Sequence, residues 1–146
     1  MKKRGDHQDV QKWFKESVRY ENEPYTIDAE QAEAVACEAK NTIVVARAGS
    51  GKTRTIVAKV SYLMARCGVK AREIMAFVFN ANAATEINAR IGKMMVGGTM
   101  LGGEDGVEIA STFHAFARKV VYELCGGGQK CGKILAGEKE ELVYAI

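Results

Sequence analysis

This sequence is poor in the features that mark metal-bound, exported or membrane proteins. Its four cysteines, Cys37, Cys67, Cys125 and Cys131, include no C-x-x-C pair, so no zinc site is expected. Cys37 and Cys67 fall within helical patterns, where a buried reduced thiol is the default, which suits a cytoplasmic compartment. Lys2-Lys3-Arg4 resembles the basic start of a leader, but Gly5-Asp6-His7-Gln8 follows without an apolar run, so export is not expected. No apolar stretch approaches the length of a membrane span, so no membrane partner is expected. No internal repeat is visible. Excess charge is also small: the net value of +3 is compatible with a phosphate-bearing partner without arguing for one.

What is present is ordinary in bulk and specific in one place. The chain has 146 residues, 47% hydrophobic and 27% charged, a size and balance typical of one globular domain. The specific place runs from Thr42 to Thr53. Ile43-Val44-Val45-Ala46 is apolar and β-branched with polar flanks, which predicts a short buried strand. Arg47-Ala48-Gly49-Ser50-Gly51-Lys52-Thr53 breaks that run, and a helical pattern follows. A strand, a glycine loop and a helix opening on Lys-Thr is the arrangement that cradles a nucleoside triphosphate. Gly49 and Gly51 allow the backbone to fold close to phosphates, with the amides of Ala48 and Ser50 among those turned inward. Lys52 is placed to reach the β- and γ-phosphates, and the Thr53 hydroxyl to ligate Mg²⁺. These two are the residues expected to act in catalysis. The usual motif begins with Gly; here Ala46 takes that position.

The remaining elements frame this loop. Residues 8–20 put Val10, Trp13, Phe14 and Val18 on one helical face, and Glu21 to Pro24 ends the pattern. Asp28 is a good N-cap for a second helix, with Gln31 positioned to complete a capping box. After the loop, apolar residues repeat at helical spacing from Ile56 to Cys67, and Gly68 is a natural stop. Ile74 to Phe79 predicts a second buried strand, and strand, helix, strand implies a parallel sheet with a right-handed crossover. Helical spacing resumes through Ala84, Ile87, Ile91 and Met94-Met95. Gly97 to Gly106 reads as an exposed loop, Val107 to Ala110 as a third strand, and Phe113 to Leu124 as a helix that is apolar on one side. Gly126-Gly127-Gly128 stops it, and Glu138 to Ile146 reads as a last helix.

Taken in order, these motifs resemble the N-terminal part of UvrD/Rep-type superfamily 1 DNA helicases. Ile27-Asp28-Ala29-Glu30-Gln31 is similar to the family's Q motif, and Ala46 to Thr53 to its motif I. Val78-Phe79-Asn80-Ala81-Asn82-Ala83-Ala84 with Glu86 is similar to motif Ia, and Ser111-Thr112-Phe113-His114-Ala115-Phe116 with Arg118 to its Thr-Phe-His motif. Two positions depart from the pattern: Arg47 stands where glycine is common, and Ala81 where many members have Asn.

The resemblance implies an α/β fold, a partial RecA-like P-loop NTPase domain with a parallel sheet flanked by helices. Residues 1–24 would form a helical extension, 25–125 the partial ATP-binding core, and 126–146 a glycine-rich loop and helix leading to further segments. ATP and Mg²⁺ are the implied cofactors. Gln31 would read the adenine edge, and Arg54 would lie by the base or ribose. Phe79 would stack on a base of single-stranded DNA, and Asn80, Thr112 and His114 would contact its backbone. Plainer roles are open to each: a helix cap for Gln31, Asn80 and Thr112, a core position for Phe79, and a satisfied histidine for His114. Implied partners are single-stranded DNA or single/double-strand junctions, and the remaining helicase domains.

The family's Mg²⁺-holding Asp-Glu-x-Gln motif is missing, since the chain contains no Asp-Glu dipeptide. No second RecA-like lobe is encoded in these residues either. The expectation is therefore an incomplete motor, the front of an ATP-dependent 3′-to-5′ helicase, that binds Mg-ATP and single strands weakly and turns over negligibly. A non-catalytic P-loop interaction module and another P-loop NTPase remain as alternatives.

Overall fold

The computed structural model describes residues 7–101 and 108–124. The expected stop at Gly126 to Gly128, the last helix and the position of Val107 lie outside them. Contacts divide the chain into two units, Met1–Ser111 and Thr112–Ile146. The architecture is mixed α/β.

In the first unit, helix α1 spans His7–Ser17. It ends sooner than its apolar spacing predicts, because Val18 leaves the helix to open strand β1, Val18–Tyr20. The turn Glu21-Asn22 has positive φ at both residues, 51° and 72°, and returns the chain into β2, Glu23–Pro24. Met94-Met95 also departs from its predicted helical reading and belongs to strand β4, Met94–Val96. Gly97 and Gly98, with φ of 58° and 84°, turn it into β5, Thr99–Met100. Two-residue turns with positive φ at both positions match the twist of the strands they join. The result is a four-stranded sheet of order β2-β1-β4-β5, in which β1 pairs antiparallel with β2 and β4, and β4 with β5. This sheet replaces what the sequence suggested were a helix end and a loop.

Three helices complete the unit. Helix α2, Ala29–Ala36, starts at Asp28 with the expected capping box. Helix α3, Lys52–Ala65, follows the glycine loop, and Gly68 at φ 71° sits just past its end. Helix α4, Ala81–Gly92, starts at Asn80, whose side chain accepts from Ala83 N. Helix α1 packs on α2, α2 on α3, and α3 on α4. The segment expected as an N-terminal extension therefore supplies core: Val10, Phe14 and Val18 are fully buried. Trp13 packs edge-on against Phe14 and Tyr62, with ring centroids 4.8 and 6.0 Å away.

Where a parallel sheet was expected, the described residues form a separate two-stranded pair. Strand β3, Ala76–Val78, lies beside β6, Ala110–Thr112, and Ala76 N donates to Ile109 O at 2.8 Å. The Asn88 side chain clamps the Ala110 backbone, donating to its oxygen and accepting from its nitrogen, each at 2.8 Å. The predicted strand Ile43 to Ala46 is not a strand here. It carries no ladder bonds among the described residues, and Ile43 and Val45 are 90% and 94% exposed. A β-strand is defined by its neighbours, and none of the described strands runs beside this segment. The second unit, described by itself, contributes helix α5, Phe113–Leu124, none of whose residues is buried.

Candidate nucleotide site

The site is the turn between the extended segment and α3. Gly49 and Gly51 both adopt φ of 79°, the left-handed region where glycine is favoured. Ser50 N donates to Arg47 O at 3.3 Å, closing the loop on itself. Gly51 is the N-cap of α3, and no side chain caps the helix. The first turn therefore presents backbone N–H groups that lack side-chain partners.

The charge at this helix start is unusual. Its first turn holds Lys52 and Arg54 and no carboxylate. Cations at a helix N-terminus oppose the positive end of the macrodipole, by about 0.3–1 kcal/mol each at exposed positions. An anion seated on the loop would turn both terms favourable. Lys52 Nζ meanwhile donates to Arg47 O at 2.7 Å, so the ammonium lies against the loop it is expected to serve. Thr53, partly buried, follows directly in the first turn.

The Q-motif glutamine reaches this loop. Gln31 Oε1 accepts from Asp28 N at 3.2 Å, and Gln31 N donates to Asp28 Oδ1 at 2.8 Å. Its Nε2 donates to Ser50 O at 3.3 Å. Capping and loop contact are thus combined in one side chain. A Cβ built on Gly51 would lie 2.6 Å from Gln31 Nε2, so the glycine makes room for this approach.

Arg54 is held by residues whose part the sequence did not reveal. Its Nε donates to Thr26 O at 2.8 Å, and its Nη2 to Thr26 Oγ1 at 3.4 Å. The guanidinium carbon lies 4.8 Å from the centre of the Tyr25 ring. Tyr25 in turn donates its hydroxyl to Arg54 O at 3.1 Å. Burial pushes the Tyr25 phenol above its usual range, with Arg54 pulling the other way, so the ring stays a donor at neutral pH. Lys59 was also missed. It donates to Val35 O and Cys37 O at 2.7 and 2.8 Å, tying the end of α2 to α3. These contacts join residues more than twenty positions apart, and no local pattern signals them.

The residues expected to meet DNA are placed differently. Phe79 follows β3 and is 100% exposed, which removes the core reading for it. Asn80 Oδ1 accepts from Ala83 N at 2.8 Å, so its cap role is real. Thr112 and His114 belong to the second unit. There Thr112 Oγ1 accepts from Ala115 N at 3.2 Å, and His114 is an exposed residue of the first turn of α5. Among the described residues, no group of three His, Cys, Asp or Glu side chains forms a metal cluster, and no helix is long and apolar enough to cross a membrane.

Comparison with known proteins gives a consistent match. The family model for the UvrD/REP helicase N-terminal domain matches residues 27–133. The chain is 38% identical over 96 residues to DNA helicase II of Escherichia coli, covering 66% of this chain and 12% of that protein. It is 34% identical over 113 residues to the ATP-dependent DNA helicase Rep of the same organism, covering 77% of this chain and 16% of Rep. It is 34% identical over 95 residues to the ATP-dependent DNA helicase UvrD1 of Mycobacterium tuberculosis, covering 65% of this chain and 12% of UvrD1. The chain thus spans less than a fifth of the length of these relatives.

Proposed function

The chain belongs to the UvrD/Rep helicase N-terminal domain family, and from that premise we propose that it is the ATP-binding part of a helicase motor. One observation carries this reading at the level of residues. The start of α3 is uncapped, rich in cations and free of carboxylates, which is unfavourable in isolation and favourable around a polyphosphate. In this reading the amides around Ala48, Gly49, Ser50 and Gly51 hold the phosphates. Lys52 leaves Arg47 O to neutralise them, and Thr53 offers its hydroxyl to Mg²⁺. Gln31 and Arg54 face the base or ribose. ATP, when bound, supplies the phosphoanhydride whose cleavage drives movement.

Further parts of the proposal concern fold, turnover and DNA. Strands β3 and β6 are members of a RecA-like parallel sheet. The 146-residue chain turns ATP over slowly, because it contains no Asp-Glu pair to help hold Mg²⁺. Phe79 offers an exposed ring for base stacking, worth about 1–3 kcal/mol per base where it occurs. Asn80 spends only its oxygen on the helix cap, so its amide N–H₂ remains a donor for a phosphate. In the second unit, taken by itself, Thr112 and His114 are candidates for contacts to a single-strand backbone.

The test is titration of Mg-ATP into the parent and into Lys52→Ala. Loss of a charged hydrogen-bond donor predicts affinity reduced about tenfold or more. Equal affinity in the two proteins would reject the phosphate role of Lys52 and with it the site.

A further inference from the structure

The proposed function leaves one arrangement unexplained: a buried tyrosine, outside the loop and the helix it serves, holds Arg54 from two sides. Tyr25 belongs to the core, with Phe14 and Tyr20 at ring distances of 6.0 and 6.4 Å, and its backbone N donates to Val18 O at 3.0 Å. It is therefore fixed by α1 and β1, which contribute no residue to the loop. Its ring supports the guanidinium, its hydroxyl bonds the Arg54 carbonyl, and the next residue, Thr26, accepts from Nε and Nη2.

An arginine has five N–H donors on one plane. Here the plane is set by the Thr26 contacts and the Tyr25 face, and the remaining donors stay available. A free arginine at the mouth of a loop would lose rotamer freedom on ordering, and this one is already ordered. The Arg54 Cβ lies 3.7 Å, and Gln31 Nε2 2.6 Å, from the point where a Gly51 Cβ would sit. The two side chains therefore flank the same glycine.

We propose that Tyr25 is a positioning residue that pre-sets Arg54 beside Gln31, so that the site distinguishes a nucleoside triphosphate from bare triphosphate. This rests on the nucleotide reading above. Tyr25 touches neither phosphate nor base; it acts through Arg54 alone.

The experiment compares Mg-ATP with inorganic triphosphate as probes on the 146-residue chain. Tyr25→Phe keeps the ring and removes the hydroxyl bond to Arg54 O. Thr26→Ala, at an exposed position, removes the Oγ1 acceptor without touching the core. Circular dichroism confirms folding of each. The expected result is a three- to tenfold loss of ATP affinity in Tyr25→Phe and about twofold in Thr26→Ala, with triphosphate affinity unchanged in both. A parallel fall for both probes would mean that Tyr25 is structural only, and unchanged ATP affinity in both variants would overturn the proposal outright. A parent chain that binds neither probe would instead refute the nucleotide site itself. Should Tyr25→Phe fail to fold, Thr26→Ala decides: a loss confined to ATP supports the clamp, and no loss rejects it.

Discussion

Alanine at Gly49 and at Gly51 separates loop strain from the reach of Gln31. Both glycines have φ of 79°, so either alanine enters the left-handed region at a cost of about 1–2 kcal/mol. Alanine also narrows the unfolded ensemble, which returns about 0.4–1 kcal/mol at either site. The net expectation from backbone alone is a loss of about 1 kcal/mol. At Gly49 nothing lies within 4 Å of the added Cβ, so that is the whole effect. At Gly51 the Cβ would fall 2.6 Å from Gln31 Nε2. That is the end of a flexible side chain, so it swings away rather than clashing. Swinging breaks the bond to Ser50 O and loosens the cap on Asp28 N. Those losses add about 1 kcal/mol for a partly exposed pair. Gly51→Ala should therefore destabilise by about 2 kcal/mol and Gly49→Ala by about half that. Urea unfolding with a common slope reads both. The excess at Gly51 should vanish when Gln31 is also replaced by Ala. If Gly51→Ala is no worse than Gly49→Ala, or its excess survives in the Gln31→Ala background, the contact between Q-motif helix and loop is not as described.

Three further outcomes follow from the structure. Ile43→Thr and Val45→Thr should each change stability by less than about 0.5 kcal/mol and reduce self-association in sedimentation, because both side chains face solvent; a loss of 2 kcal/mol would place them in a core. Arg66→Ala should cost about 1 kcal/mol in urea unfolding. Its guanidinium bridges the partly exposed Asp9 at 2.9 Å and lies 5.6 Å from the Trp13 ring, while Asp9→Asn should cost less than half as much. Stability should fall above about pH 10. Burial raises the phenols of Tyr25 and Tyr62, and the hydrogen bond that Lys93 donates to the Glu21 carboxylate raises its ammonium. All three favour the protonated form in the folded state, so their contribution is complete below their unfolded values and is lost as pH rises through the folded ones. Stability that increases between pH 10 and 11 would contradict this assignment.

The parts of the molecule that were legible in the sequence are those governed by short-range rules. The Asp28–Gln31 capping box, the glycine-to-lysine start of α3 and the Asn80 cap of α4 each depend on residues three or four apart. The parts that were not legible depend on distant pairing. Val18 fits the spacing of α1 as well as it fits a strand, and only its pairing with Val96 decides between them. Met94-Met95 continued a helical pattern until the register with β1 claimed it. The Gly97-Gly98 pair carried a hairpin signal that the wider glycine content masked. Ile43 to Ala46 has the composition of a buried strand, yet composition states only what a strand prefers once neighbours exist. At the candidate site the loop was visible from motif spacing, whereas Gln31 and Arg54 entered through the family resemblance. Tyr25, Thr26 and Lys59 were visible from neither, because nothing local distinguishes a tyrosine that supports an arginine from one that merely fills space.

The burial of helix α1 changes where a minimal version of this protein can begin. A boundary drawn by motif would start near Ile27 and discard everything before it. Such a trimmed chain forfeits Val10, Phe14 and Val18, three side chains without accessible surface, each contributing roughly 1.5–3 kcal/mol through burial. That sum rivals the whole margin by which domains of this size stay folded. Tyr25 would be lost with them, and Tyr62, which packs against Trp13, would be laid bare. For anyone shortening the chain for expression or crystallisation, the first helix is foundation and not decoration.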